Sequence, residues 1–230
     1  VKLVRNLFLY GLKLAAGNVL YLACAESSVI LLRLLEPDRF SQLGLFSRAT
    51  AIAGLVALVP RFVSPLLYSK WSLVSGRAAT SQSETVLRVV STAAAATAIV
   101  LVLSAPNIIS LLYGTEFLEA RSALCILAPA YGLNSVFTVC SSMLAGDGRA
   151  GLTAWILLGA LVFQSLCTLA LVPSWGINGA ALGVLSGTTV AASLSLAACC
   201  RLYSVNLRSS LIVRLNDLDL IWRSLSKARS

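Results

Sequence analysis

The chain has 230 residues, of which 58% are hydrophobic and only 12% are charged, and its net charge is +9. A soluble domain has about 25% charged residues, so this composition excludes a soluble protein and indicates a polytopic membrane protein. The basic residues are spread between apolar runs and form no continuous basic face, so we expect no nucleic-acid partner.

Six apolar runs of membrane-spanning length follow one another along the chain. We predict spans at about residues 9–34, 43–68, 85–103, 120–144, 152–172 and 177–200. They predict an all-α membrane protein, a six-transmembrane-helix bundle over residues 1–200. Pro60 and Pro65 predict a kink in the second half of span two, because each removes a backbone donor. Pro106 predicts the end of span three, with a short extramembrane segment, IISLLYGTEF, after it.

The sixth span carries glycines at a spacing of four residues. The stretch LVPSWGINGAALGVLSG joins spans five and six through a turn and places Gly179, Gly183 and Gly187 on one helix face. In lipid, small residues let two helix backbones approach closely. This pattern predicts a membrane hairpin whose second helix packs tightly against a neighbour.

The tail, residues 201–230, differs from the spans. Leu211, Leu215, Leu218, Trp222 and Leu225 recur at helical spacing among basic residues. This predicts a cytoplasmic amphipathic helix lying on the membrane surface, in contact with membrane lipids. The alternative is a soluble helix that docks on a partner.

Most of the 18 lysines and arginines fall on one side of the predicted bundle, the side that holds both termini and the loops after spans two and four. The positive-inside rule then puts both termini of this multi-pass protein in the cytoplasm.

Three charged residues in the spans are candidates for lining a substrate cavity: Glu26, Arg48 and Arg61. An ion within the membrane is costly and faces a cavity or a partner. Glu26 either faces a cavity or pairs with an arginine such as Arg33 or Arg48. Arg61 lies roughly 27 Å along span two, and either lines a cavity or extends to the cytoplasmic surface.

Asn134 is a further cavity candidate, as a hydrogen-bonding partner for a sugar or for another helix. An arginine in a water-filled cavity suits a diphosphate, because the guanidinium group binds phosphate bidentately.

The chain contains no histidine and no catalytic motif such as GxSxG, HExxH or a Walker loop. We therefore expect no enzyme activity, no cofactor and no metal site.

Four segments together resemble the polysaccharide flippases. LLYGTEFLEARSALCILAP is similar to a family stretch with a Tyr-Gly-x-x-Phe element, and MLAGDGRAGLTAW is similar to the short basic loop after the tenth span. LVPSWGINGAALG resembles the family's turn and Gly-Ala-Ala helix start. FSQLGLFSRATAI resembles the start of the eighth span, with Phe46 in place of the usual tyrosine, and Pro65 lies where the family has a proline.

The resemblance covers about residues 5–200 and matches the C-terminal lobe of lipid-linked oligosaccharide (O-antigen, exopolysaccharide) flippases. These belong to the superfamily that includes the multidrug and toxic compound extruders. It implies one half of a two-lobe transporter of the bacterial cytoplasmic (inner) membrane. Such a transporter moves undecaprenyl-diphosphate-linked oligosaccharide from the cytoplasmic to the periplasmic leaflet in polysaccharide biosynthesis. It also implies a partner, either an N-terminal lobe or a second chain, and it transfers no site residue.

Two other functions stay open on the sequence. One is a drug or cation antiporter lobe of the same superfamily, which acidic and aromatic cavity residues would favour. The other is a non-transporting membrane subunit of a glycan-assembly complex, which a cavity without charge would favour.

Overall fold

The computed structural model describes residues 2–37, 40–58, 60–62, 64–65 and 77–203, and it is almost entirely helical. Its helices are α1 (Lys2–Leu35), α2 (Phe40–Ala53), α3 (Arg77–Tyr113), α4 (Ala120–Gly146) and α5 (Ala150–Tyr203). Five helices in the described residues are long and apolar enough to cross a membrane. The predicted tail helix lies outside the described residues beyond Tyr203.

The second apolar run changes geometry before its prolines. After Ala53 the chain tightens into a 3₁₀ turn, Gly54–Ala57, and residues 58, 60–62 and 64–65 are helical again. A proline ring at position 60 clashes with the carbonyl group four residues earlier, on Val56. The departure from α-helical geometry therefore lies in the turn that precedes Pro60.

The prediction that Pro106 ends the third helix is wrong. α3 continues through Pro106 to Tyr113, and the chain turns only at Gly114, whose φ of 92° favours glycine. Ala105 and Ile109, on either side of the proline, are 0% and 1% exposed in the core. This packing holds the helix together across the hydrogen bond that proline cannot make.

α5 is a hairpin of two helical arms, residues 150–175 and 177–203. Gly176 alone departs from helical geometry, with φ 51° and ψ −126°. Beyond it the chain folds back, so Gly179 lies against Leu171, Gly183 against Thr168, and Gly187 against Gln164. Each step of four along the second arm matches a step of three or four back along the first, so the arms run antiparallel.

α4 is the central helix of the bundle, and α1 is the outermost. Within their most apolar windows, 56% of the residues of α4 are buried but only 6% of those of α1. α4 contributes to both hydrophobic clusters, one around Phe46, Leu124 and Leu127 and the other around Met143 and Leu144. α1 packs chiefly against α5 and only lightly against α2.

Candidate functional site: a basic, hydroxyl-lined cavity

A cavity of about 340 Å³ lies between α1, the segment after α2, α4 and the first arm of α5. We call it the basic cavity. Its polar lining residues are Lys13, Asn18, Tyr21, Arg61, Ser64, Thr138, Ser141, Ser142 and Thr153. Two of them are cations, and none of the described lining residues is a carboxylate.

The two cations come from different parts of the chain. Lys13 extends from α1, and the aliphatic part of its side chain lies beside Gly151 of α5. A Cβ atom added at Gly151 would be 3.6 Å from Lys13 Cδ. Arg61 comes from the helical segment after the 3₁₀ turn, and both side chains are exposed. Neither makes an ion pair with another described residue. Among the described residues, the lining of the basic cavity therefore carries two positive charges and no negative charge.

A row of hydroxyl groups on α4 forms the opposite wall. Thr138, Ser141 and Ser142 occupy positions i, i+3 and i+4, so they share one helix face. Thr138 Oγ1 donates to the carbonyl oxygen of Asn134 at 2.8 Å. Ser141 and Ser142 both donate to the carbonyl oxygen of Thr138, at 2.9 and 2.8 Å. We call these three residues the hydroxyl wall.

A second cavity, of about 60 Å³, adjoins the first. Tyr21, Phe137 and Leu157 line both, and the rings of Tyr21 and Phe137 are stacked, with centroids 6.4 Å apart and planes 10° apart. The aromatic pair thus forms part of the partition between the two cavities. The smaller one lacks the volume for a sugar or a diphosphate.

Asn134 lines the smaller cavity and also joins two helices. Its Nδ2 donates to the hydroxyl oxygen of Tyr21 on α1 at 3.0 Å. This bond holds the Tyr21 ring against Phe137. Asn134 therefore stabilises the aromatic pair between the two cavities, although it does not line the basic cavity itself.

Glu26 and Arg48 line neither of these two cavities. Glu26 is exposed on α1, one turn from both Leu22 and Ile30, and it makes no ion pair with Arg33 or Arg48. It lies within electrostatic range of Tyr131 on α4, as Arg61 does. Arg48 instead lies over the ring of Tyr113, 5.0 Å from its centroid, where it links α2 to the end of α3. Of the four cavity candidates, Arg61 alone lies at the basic cavity.

The glycines of the second arm lie against the first arm of α5. A Cβ added at Gly187 would be 2.5 Å from Gln164 Oε1, and one added at Gly183 would overlap Thr168 Oγ1. Gln164 is 2% exposed, and its Nε2 donates to Cys24 O at 2.7 Å and to Ser27 Oγ at 2.9 Å. Gly187 thus leaves room for the amide that ties the hairpin to α1.

Sequence reasoning missed Lys13 and the hydroxyl wall as site residues. Lys13 is a lone cation in the first apolar run, a signal of the same kind as Arg61. The serines carry a weaker signal, because hydroxyls that bond to their own helix occur throughout membrane spans. Only their helical spacing, taken together with a cavity, distinguishes them.

Comparisons of the chain with protein-family models, curated proteins and solved structures find no match. The resemblance to polysaccharide flippases therefore stays a prediction from the four segments. Among the described residues, no three His, Cys, Asp or Glu side chains lie close enough together to hold a metal ion.

Proposed function

We propose that this chain is one lobe of a membrane transporter that translocates undecaprenyl-diphosphate-linked oligosaccharide across the bacterial cytoplasmic membrane. The observation that carries the proposal is the charge of the basic cavity: Lys13 and Arg61 line it, and no carboxylate does among the described residues. The resemblance of the four sequence segments to polysaccharide flippases points to the same substrate.

A diphosphate is complementary to this cavity in charge and in geometry. Arg61 offers a planar fork of donors that matches two phosphate oxygens, and Lys13 offers a compact charge that adapts to the others. Two cations within a membrane protein are costly when no anion lies beside them, and neither forms an ion pair in the described part of the chain, so an anion bound by both would offset this cost. A volume of about 340 Å³ lies within the range of ligand pockets.

The hairpin supports a count of six spans. A straight helix of 54 residues would be about 81 Å long, more than twice the thickness of a bilayer core. Bent at Gly176, it gives two arms of roughly 39 Å, each long enough to cross once. With the four apolar helices before it, α5 then completes six spans, with both termini on the cytoplasmic side as the basic residues favour.

The exposed position of Glu26 favours a lobe that works with a partner. Glu26 lies one turn from the exposed side chains of Leu22 and Ile30, within electrostatic range of Tyr131 on α4, and it makes no ion pair in the described part of the chain. A carboxylate facing lipid is unfavourable, whereas one facing water or a second lobe is not. We therefore propose that an N-terminal lobe or second chain covers this part of α1 and supplies the other wall of the translocation path.

The same charge distribution argues against the two alternatives. A cation antiporter needs acidic groups where its substrate binds, and the only spanning carboxylate singled out here, Glu26, lies outside both cavities. A subunit without transport function has no need of two cations in a cavity.

Binding to a lipid-linked diphosphate sugar tests the proposal. The chain would be purified into nanodiscs, and the Kd for a short-chain polyprenyl-diphosphate-linked sugar measured for wild type, Lys13→Ala, Arg61→Ala and Arg48→Ala. Each charge-assisted bond contributes about 1.5–3 kcal/mol, so we expect Lys13→Ala and Arg61→Ala each to weaken binding by about 10- to 100-fold. Arg48→Ala, which removes a cation outside both cavities, should bind like wild type. Unchanged binding by both Lys13→Ala and Arg61→Ala would overturn the proposal.

A further inference from the structure

We propose that the hydroxyl wall of α4 is a sugar subsite that accepts hydrogen bonds from hydroxyl groups of the sugar joined to the diphosphate. This inference rests on the proposed function, because it assumes that the diphosphate binds between Lys13 and Arg61. It extends that proposal by naming a second part of the substrate, the sugar, that the cavity recognises in addition to the charged diphosphate.

The hydroxyl protons of Thr138, Ser141 and Ser142 are already used in hydrogen bonds within α4. A carbonyl oxygen can only accept, so in each of the three bonds that Thr138, Ser141 and Ser142 make within α4, the hydroxyl is the donor. Ser64, from the segment after α2, likewise donates to the carbonyl oxygen of Pro60 at 2.7 Å. A hydroxyl has one proton and two lone pairs, so these groups can offer the cavity only lone pairs.

The two cations and the hydroxyl wall therefore bind different chemical groups. Lys13 and Arg61 carry donors only, so they bind acceptors such as phosphate oxygens. The hydroxyl wall presents acceptors, which repel phosphate oxygens and attract O–H or N–H groups. A single ligand satisfies both sides only if it carries an anion at one end and hydroxyl donors next to it. A sugar diphosphate has this arrangement, whereas an alkyl diphosphate has only the anionic half.

A hydroxyl on α5 is a further candidate partner for the sugar. Thr153 lines the basic cavity, and its Oγ1 is buried without a hydrogen-bond partner in the described part of the chain. A buried polar group left unpaired costs about 1–3 kcal/mol. Thr153 Oγ1 has almost no accessible surface, so it reaches a bound sugar only after a rotation of the side chain, and it can then donate to a ring or glycosidic oxygen. A hydrogen bond made in this way would remove the penalty.

The test compares three synthetic ligands with the same short polyprenyl chain: the diphosphate alone, the diphosphate linked to glucose, and the diphosphate linked to fully O-methylated glucose. The Kd of each is measured for the 230-residue chain in nanodiscs. If the wall accepts sugar hydroxyls, glucose should tighten binding by about tenfold over the bare diphosphate, equivalent to one or two net hydrogen bonds. O-methylation removes the donors and should abolish that gain.

Substitutions in the hydroxyl wall test which hydroxyl groups cause the tighter binding given by glucose. Ser141→Ala with Ser142→Ala should remove most of the gain from glucose, measured as the ratio of the Kd for the bare diphosphate to the Kd for the glucose-linked diphosphate in the same variant. Thr138→Val should reduce the gain, and Thr138→Ser, which keeps the hydroxyl, should restore it. Ser91→Ala is the matched control, because Ser91 is half-buried, donates within its own helix to Arg88 O at 3.0 Å, and lines neither cavity. Alanine favours helix over serine, so these variants should fold.

The outcomes separate this inference from the proposed function. If the bare diphosphate binds through Lys13 and Arg61 but the gain from glucose survives in the double alanine variant, or survives O-methylation, the sugar subsite is refuted and the diphosphate site stands. If no diphosphate ligand depends on Lys13 or Arg61, the proposed function fails first. A gain that disappears with both the wall hydroxyls and the sugar hydroxyls supports the subsite.

Discussion

Replacing Gly183 with alanine tests whether the two arms of α5 touch backbone to backbone. A Cβ at this position would overlap Thr168 Oγ1 and lie 3.1 Å from Thr168 Cβ and 3.2 Å from Thr168 Cα. A rotamer change of Thr168 can move Oγ1 away, but the contacts with its Cβ and Cα remain tight, so the arms must also separate by a few tenths of an ångström. Gly159 is the matched control, since it lies in the same hairpin and a Cβ there meets nothing within 4 Å.

The comparison isolates the clash from the change in helix propensity. Alanine is favoured over glycine by about 1 kcal/mol in a helix, and this gain is common to both variants. Overpacking at Gly183 costs about 1–3 kcal/mol, so Gly183→Ala should be less stable than Gly159→Ala by about that amount. The free energy of unfolding would be measured in mixed micelles, by titration with sodium dodecyl sulfate and circular dichroism.

A second substitution checks the contact itself. Thr168→Ala removes the hydroxyl that the new Cβ meets first, so the double variant should lose less stability than the two single losses combined. Equal unfolding free energies for Gly183→Ala and Gly159→Ala, with no coupling to Thr168, would refute the close approach of the two arms.

Two further predictions concern the membrane. In a variant lacking the six native cysteines, Thr115→Cys should react with an impermeant thiol reagent in intact cells and Arg149→Cys should not, because positive-inside orientation puts the α4–α5 turn in the cytoplasm; the opposite labelling would reverse the topology. In liposomes, the chain alone should bind but not translocate a labelled lipid-linked oligosaccharide, since it supplies one wall of the path, and a matching N-terminal lobe should restore translocation; robust transport by a verified monomer would contradict the single-lobe proposal.

The sequence predicted helices better than it predicted their ends. Apolar runs of about 20 residues indicate membrane spans whatever surrounds them, and the glycine spacing at Gly179, Gly183 and Gly187 is a local pattern. Pro106 shows the limit of such patterns. Its local cost is real, but the burial of Ala105 and Ile109 depends on helices distant in the sequence, so the sequence alone gave no sign that packing would hold the helix together.

The site was harder to predict for the same reason. Arg61 stands out because a cation in an apolar run needs an explanation, yet Arg48 stands out equally, and only the structure separates a cation at the basic cavity from one that lies on the ring of Tyr113. The hydroxyl wall depends on which face of α4 is turned toward α1. That orientation follows from the packing of four helices and not from the spacing of Thr138, Ser141 and Ser142 alone.

The attachment of α1 has a mechanical consequence. α1 is fastened to the α5 hairpin, through the Gln164 amide among other contacts, it hydrogen-bonds α4 through Tyr10 and Tyr21, and it touches α2 only lightly. Lys13 lies on α1, whereas Arg61 lies on the segment that follows α2, so the two cations come from elements that touch only lightly. α1 also contributes Leu32 to one hydrophobic cluster and packs Leu20 and Tyr21 against the other, so a change in the width of the gap between Lys13 and Arg61 would disturb both clusters. On the proposed function, an anion held by both cations would link α1 to the segment after α2.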